Sequence, residues 1–156
     1  MKTMSVLLGL FLIISFNEGC ASTTTSALAK AQAKTHYDIA IATFNTGDAR
    51  GALRELLATL ELDPDLPEAH NALGLVYHSL KHLDEGLAHY NKAVELRPDF
   101  SQAHNNRGTL LVDLGRYDEA IVSFKVAVGD ILYRTPSLAE GNMGWAYFKK
   151  GESEKG

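Results

Sequence analysis

The alternation of apolar and polar positions divides the chain into three unequal stretches. After Met1, Lys2 and Thr3, the run Met4 to Phe16 is almost unbroken in apolar character. It is 13 residues long, whereas crossing a hydrocarbon core takes about 20, so it predicts the hydrophobic region of a signal peptide over 1–19. Next comes Ser22-Thr-Thr-Thr-Ser26, polar and without apolar periodicity, which predicts a tether over 20–32. From residue 33 onward the pattern changes character. Pro64 and Pro98, Gly74 and Gly108, and Leu62 and Leu96 each lie 34 apart, as do His36, His70 and His104 in succession. A fixed period of that length marks stacked repeats, because a unit of this size cannot bury its apolar face alone. The body therefore divides into 33–66, 67–100, 101–136 and a partial unit over 137–156.

Within the period, the order of small, aromatic and turn residues resembles the tetratricopeptide repeat. The second unit supplies Leu73, Gly74, Tyr77, Gly86, Tyr90, Ala93 and Pro98, with Gly86 replacing the usual alanine. The third supplies Gly108, Leu111, Ala120, Phe124 and Ala127, preceded by the turn Leu114-Gly115-Arg116-Tyr117-Asp118. The first keeps Ala40, Gly47, Ala52 and Pro64 but diverges elsewhere, as a terminal repeat does. The resemblance implies an all-α superhelical solenoid of about three and a half repeats, each a pair of antiparallel helices. Gly74 or Gly108 on the first helix, with Ala52 or Ala120 on the second, let the backbones approach. Tyr77, Tyr90 and Phe124 then fill the space, and Pro64 and Pro98 end the second helices because proline cannot continue one.

Gly144 follows Gly108 by 36 residues, so the third repeat carries a two-residue insertion around Gly129–Pro136. The fourth repeat supplies one helix, with Met143, Trp145, Tyr147 and Phe148, before Gly151. Its outer side is expected to be covered by a partner or by the rest of a longer solenoid.

Two further features resemble known classes. Cys20, the single cysteine, stands at the end of the signal region and resembles the lipidated cysteine of bacterial lipoproteins, although Asn17 and Glu18 occupy places where that signal usually has aliphatic and small residues. The alternative is a secreted protein cut near Ala21-Ser22. The set Asn105-Asn106, Gly108, Arg116-Tyr117, Glu119-Ala120, Asp130, Leu132-Tyr133, Asn142 and Gly144 resembles the type IV pilus biogenesis lipoproteins of the PilF/PilW/Tgl group, the pilotins. That likeness implies a lipid-anchored protein on the periplasmic face of the outer membrane, with secretin subunits of the pilus as partners and the membrane reached through Cys20. The alternative is a periplasmic tetratricopeptide adaptor for cell-wall or outer-membrane assembly enzymes.

Composition narrows the chemistry. Nineteen Asp and Glu against fifteen Lys and Arg leave a net charge of −4, with no basic cluster beyond a dipeptide, which argues against a nucleic-acid partner. No phosphate loop, nucleophile elbow or metalloprotease motif occurs, so neither an enzyme, a small-molecule substrate nor a cofactor is expected. The repeat-spaced histidines fall in separate layers, too far apart to share one metal ion, and the turn at Lys81-His82 breaks the helical spacing of His78 and His82. No metal site is expected. The repeat register turns Tyr37, Ile41, Phe44, Asn71, Leu75, Asn105, Thr109, Val112, Trp145 and Phe148 toward a concave groove, where aromatic residues are candidate anchors for an apolar or neutral segment.

Overall fold

A computed structural model describes residues 18–130 and 132–154. Among them seven α-helices follow one another: α1 (Glu18–Asn45), α2 (Ala49–Leu62), α3 (Pro67–Ser79), α4 (Leu83–Leu96), α5 (Ser101–Asp113), α6 (Tyr117–Gly129) and α7 (Pro136–Ser153). The signal-peptide expectation for 1–17 lies outside the described residues.

The helices pair as α1 with α2, α3 with α4 and α5 with α6, and α7 packs on α6. Successive first helices also touch, α1 with α3, α3 with α5 and α5 with α7, whereas the second helices do not touch one another. The stack therefore curves, with α1, α3, α5 and α7 along the inside of the bend. This curvature makes the groove.

Each pair turns on the same local device. Gly47, Lys81 and Gly115, spaced by 34 residues, all adopt positive φ, at 91°, 66° and 72°. In all three turns this residue donates its N–H three residues back, and the next residue donates to a carbonyl five back: Asp48 to Thr43, His82 to Tyr77 and Arg116 to Leu111. These bonds satisfy carbonyls that the end of a helix leaves open. Helix starts are equally local. Asp48 Oδ1 accepts from Gly51 N at 2.8 Å to cap α2, and Pro67 opens α3, where its missing N–H costs nothing.

The interior is sealed by ring-over-glycine contacts. Tyr90 and Phe124 are fully buried, and a Cβ on Gly74 would lie 2.5 Å from the Tyr90 ring, one on Gly108 2.6 Å from Phe124. Gly86, where the repeat usually has alanine, is equally constrained, since a Cβ there would lie 2.9 Å from Leu110 and 3.2 Å from the Gly74 carbonyl oxygen. One apolar cluster joins α1, α2 and α3 around Leu56 and Leu73. A second joins α4, α5, α6 and α7 around Tyr90, Leu110 and Phe124.

Two expectations need revision. The segment 20–32 was expected to be a tether, yet it runs inside α1, because Ala27-Leu-Ala-Lys-Ala-Gln-Ala33 is built from strong helix formers that carry the helix past the polar run. Only from Ala33 does α1 become buried among its described side chains. The last helix also does not stop before Gly151, but continues through it to Ser153.

Candidate protein-interaction groove

The inner helices are tied to one another by side chains pointing along the groove floor. Asn106 Nδ2 on α5 donates to Asn71 Oδ1 on α3 at 3.0 Å, and Asn142 Nδ2 on α7 donates to Asn105 Oδ1 on α5 at 3.1 Å. Further along the same seam His78 Nε2 meets Asp113 Oδ2 at 2.7 Å. These contacts repeat from one layer to the next and form a polar ladder across an otherwise apolar stack.

The ladder changes the role of two residues read from sequence as partner contacts. Asn71 and Asn105 are buried and spend their carbonyl oxygens on the next repeat, so they hold the groove's curvature rather than stand free on its surface. Tyr37, Ile41 and Phe44 are half-buried against the first core cluster, and Val112 packs partly against the second. Thr109 is half-buried, its hydroxyl donating to the Asn105 carbonyl at 3.1 Å. The exposed apolar positions are Leu75, Trp145 and Phe148. Trp145 and Phe148 stack with centroids 5.4 Å apart, and Lys149 Nζ lies 5.0 Å from the Trp145 ring centre. Both rings are more than half exposed, at 52% and 54%.

A cleft of about 480 Å³ opens between the start of α5 and the insertion, lined by Arg97, Phe100, Asn105, Tyr133, Arg134 and Leu138, among others. The insertion is pinned on the α6 side, where Asp130 accepts from the Ser101 hydroxyl and from Leu132 N, the latter at 2.8 Å. Those bonds hold the Asp130 carboxyl below the usual range. Sequence reasoning located the insertion as a break in the period. It could not show that the break borders the groove, because that follows from the curvature.

The histidines at the repeated position serve the stack. His70 Nε2 meets the Pro64 carbonyl at 3.0 Å and His104 Nε2 meets that of Pro98 at 2.9 Å, so each latches a first helix to the proline that ends the preceding repeat. His36 has no preceding proline and pairs with Glu55 instead, at 2.7 Å. His89 bonds His70 through the two Nδ1 atoms at 3.1 Å and stacks on Tyr77, with centroids 5.4 Å apart. Burial, with His70 nearby, pushes His89 below the ordinary histidine range. Among the described residues no group of three or more His, Cys, Asp or Glu is arranged to hold a metal.

Lys34 on α1 pairs with Asp38 at 2.7 Å and Lys149 on α7 with Glu152 at 3.1 Å, each within its own helix and at opposite ends of the stack. Arg107 turns instead toward the second helices, donating to Ser123 on α6 and Asn91 on α4 at 3.0 and 3.4 Å. Arg97, beside the cleft, pairs with Glu68.

Tetratricopeptide-repeat models match residues 67–100 and 89–122, and a TPR repeat model matches 42–81. No curated protein matches the chain in sequence. Among solved structures the chain is similar to PilF of Pseudomonas aeruginosa, with a TM-score of 0.75, 24% identity, and coverage of 79% of this chain and 55% of that one. It is also similar to PilW, described as a widely conserved type IV pilus biogenesis factor, with a TM-score of 0.73, 27% identity, and coverage of 77% and 55%. The first TPR of Spaghetti (RPAP3), bound to the HSP90 peptide SRMEEVD, gives a TM-score of 0.71 at 17% identity, with coverage of 78% and 95%. The chain thus spans about half the length of the PilF and PilW structures. From the helix pairs, their ring-over-glycine contacts and these matches, the chain is an all-α tetratricopeptide-repeat protein, of a fold that serves protein–protein interaction.

Proposed function

We propose that this chain is a pilotin-type scaffold: a lipoprotein held by Cys20 on the periplasmic face of the outer membrane, where its groove binds secretin subunits of a type IV pilus and helps them assemble. The likeness to PilW and PilF carries this reading, because it extends over more than three quarters of the chain and includes two pilus proteins with the same repeat fold. The character of the groove supports it at the level of chemistry. An acidic peptide such as SRMEEVD needs convergent cations, and here Lys34 on α1 and Lys149 on α7 stand at opposite ends of the stack, each in an ion pair on its own helix. The exposed Leu75, Trp145 and Phe148 suit an apolar or neutral segment, in which rings in a desolvated groove concentrate the binding energy. The mechanism is capture of a subunit, retention at the membrane, and release into the ring.

The test is a triple variant, Leu75→Ala, Trp145→Ala and Phe148→Ala, on side chains that are exposed and whose loss spares the core. Secretin capture should weaken by at least tenfold and secretin multimers should fall, while the helical circular dichroism persists. Wild-type multimer levels and pilus-dependent movement in a folded variant would remove the groove from consideration.

A further inference from the structure

In the second and third pairs the two helices match in length: α3 and α5 have 13 residues each, against 14 in α4 and 13 in α6. In the first pair α1 has 28 against 14 in α2, so about half of α1 extends past its partner. The point where it leaves the stack is marked by its neighbours. Glu61 and Leu62, at the end of α2, share a cleft with Gln32 and His36, while Asp63 and Leu66 in the following turn share one with Lys30 and Tyr37. Over 26–32 every side chain is exposed except that of Ala29, which is half-buried. The extension therefore emerges past the turn 63–66. Because each first helix is antiparallel to its partner, that edge of the solenoid also carries the turn 97–100 and the insertion.

Continuity makes the extension stiff. A helix that grows from a packed end needs no new nucleus, and Ala27, Ala29, Ala31 and Ala33 are the strongest helix formers. From Gln32 back to Cys20 the helix spans about 18 Å. The charge of the edge gives that length a purpose. Its turns carry Asp63, Asp65, Asp99 and Asp130 against Arg97 and Arg134, and Arg97 is tied to Glu68. The turns of the opposite edge carry Asp48 against Lys81 and Arg116, beside His82. Charge alone would turn that opposite edge toward anionic lipid, yet the helix leaves by the acidic one. We propose that the amino-terminal half of α1 is a rigid strut that turns the acidic edge, with the insertion on it, toward the bilayer and holds it about 18 Å off the headgroups. This span is more than twice the Debye length of about 8 Å, so the acidic edge is screened while the strut stands and is repelled when it tilts toward an anionic surface. The inference rests on the reading of Cys20 as the anchor and adds to it the orientation of the groove.

Cys20, the only cysteine, is the handle for the test on the mature chain purified without lipid. Spin labels on Cys20 and on Glu61→Cys should give one narrow distance peak, because an unbroken helix joins the two sites. Ala29→Pro, which breaks the helix outside the packed pair, should at least double the width of that peak and leave the melting temperature of the solenoid unchanged. The combined variant Ala27→Gly, Ala29→Gly and Ala31→Gly should broaden it too, through lost propensity and without a steric break. Cys20 can also be coupled to a maleimide lipid in a supported bilayer of phosphatidylcholine with one fifth phosphatidylglycerol. Neutron reflectometry should then show a solvent-filled layer of about 18 Å beneath the protein, and Ala29→Pro should remove at least half of it. A broad peak in the chain without helix-breaking changes, protein density lying against the headgroups, or the same peak and layer in the broken variants would overturn the strut. Attachment is chemical in both measurements, so neither depends on processing in the cell. An unmodified Cys20 in the native protein, seen by mass spectrometry, would instead remove the anchor.

Discussion

A single methyl group decides whether two helices of this stack can meet. At Gly108 it would press into the Phe124 ring at 2.6 Å, whereas at Gly144 it would meet nothing. Leucine at Gly108 should therefore lower the melting temperature by several degrees, as expected for about 1 to 3 kcal/mol of overpacking. Leucine at Gly144 should melt at or slightly above wild type, because it replaces a helical glycine without a clash. Similar losses from the two, compared by thermal melting, would mean that the ring-over-glycine account is wrong. Lys81 offers the opposite experiment. It holds φ at 66° where the equivalent turns use Gly47 and Gly115, so Lys81→Gly should raise the melting temperature by relieving about 1 kcal/mol of backbone strain. His104 carries a pH prediction. Its Nδ1 is buried without a partner, and burial, assisted by the charge of Arg107 and opposed by the bond to Pro98, lowers its pKa. A neutral-preferring histidine contributes stability that is complete above the unfolded value of about 6.5 and is lost as pH falls below it. The melting temperature should fall on acidification from pH 7.5 to 5.5, and His104→Gln should make that fall shallower. An unchanged profile would show that His104 does not titrate on unfolding in this window.

At the scale of the element, the inner helices are joined by side-chain hydrogen bonds as well as by apolar contacts. Asn71 and Asn106 bridge α3 to α5, and Asn105 and Asn142 bridge α5 to α7. If each bridge fixes the curvature, Asn71→Ala and Asn106→Ala should couple in a double-mutant cycle by about 0.5 to 1.5 kcal/mol, the usual net worth of such a bond. Strict additivity in chemical denaturation would assign the two residues to independent roles. Here sequence reading reached its limit. The repeat register brought Asn71 and Asn105 to the inner helices, but an asparagine facing a ligand and one tied to a neighbouring helix occupy the same register, and only the distance between layers separates them. The polar run after Cys20 failed for a different reason. Serine and threonine disfavour a helix only weakly, and the alanines that follow carry α1 from Glu18 through Ala33. Helix pairs, paired glycines and rings, and the insertion were legible because each is a spacing. The cleft beside Tyr133 was not, because it forms only when residues about thirty positions apart are brought together by curvature.

For the whole molecule, the proposed activity couples a groove to an anchor, and the two can be separated. The groove needs only the solenoid, since its walls are α1, α3, α5 and α7 and its curvature comes from contacts among them. Retention at the membrane, in contrast, depends in this reading on Cys20 and its acyl chains, which at about 0.8 kcal/mol per buried methylene hold a protein firmly once more than one chain is attached. No helix among the described residues is long and apolar enough to cross a bilayer, so none of them offers a spanning alternative to the lipid. Cys20→Ser should then move the protein from the membrane fraction to the soluble periplasm or leave it uncleaved, with repeat stability and secretin capture by the purified solenoid unchanged. In cells the same variant should reduce secretin multimers, because a subunit captured by an unanchored scaffold is no longer concentrated at the bilayer where the ring forms. Two results would break the coupling. Persistent membrane fractionation together with an unmodified Cys20 by mass spectrometry would remove the lipid, and wild-type multimers from a fully soluble variant would mean that capture alone suffices.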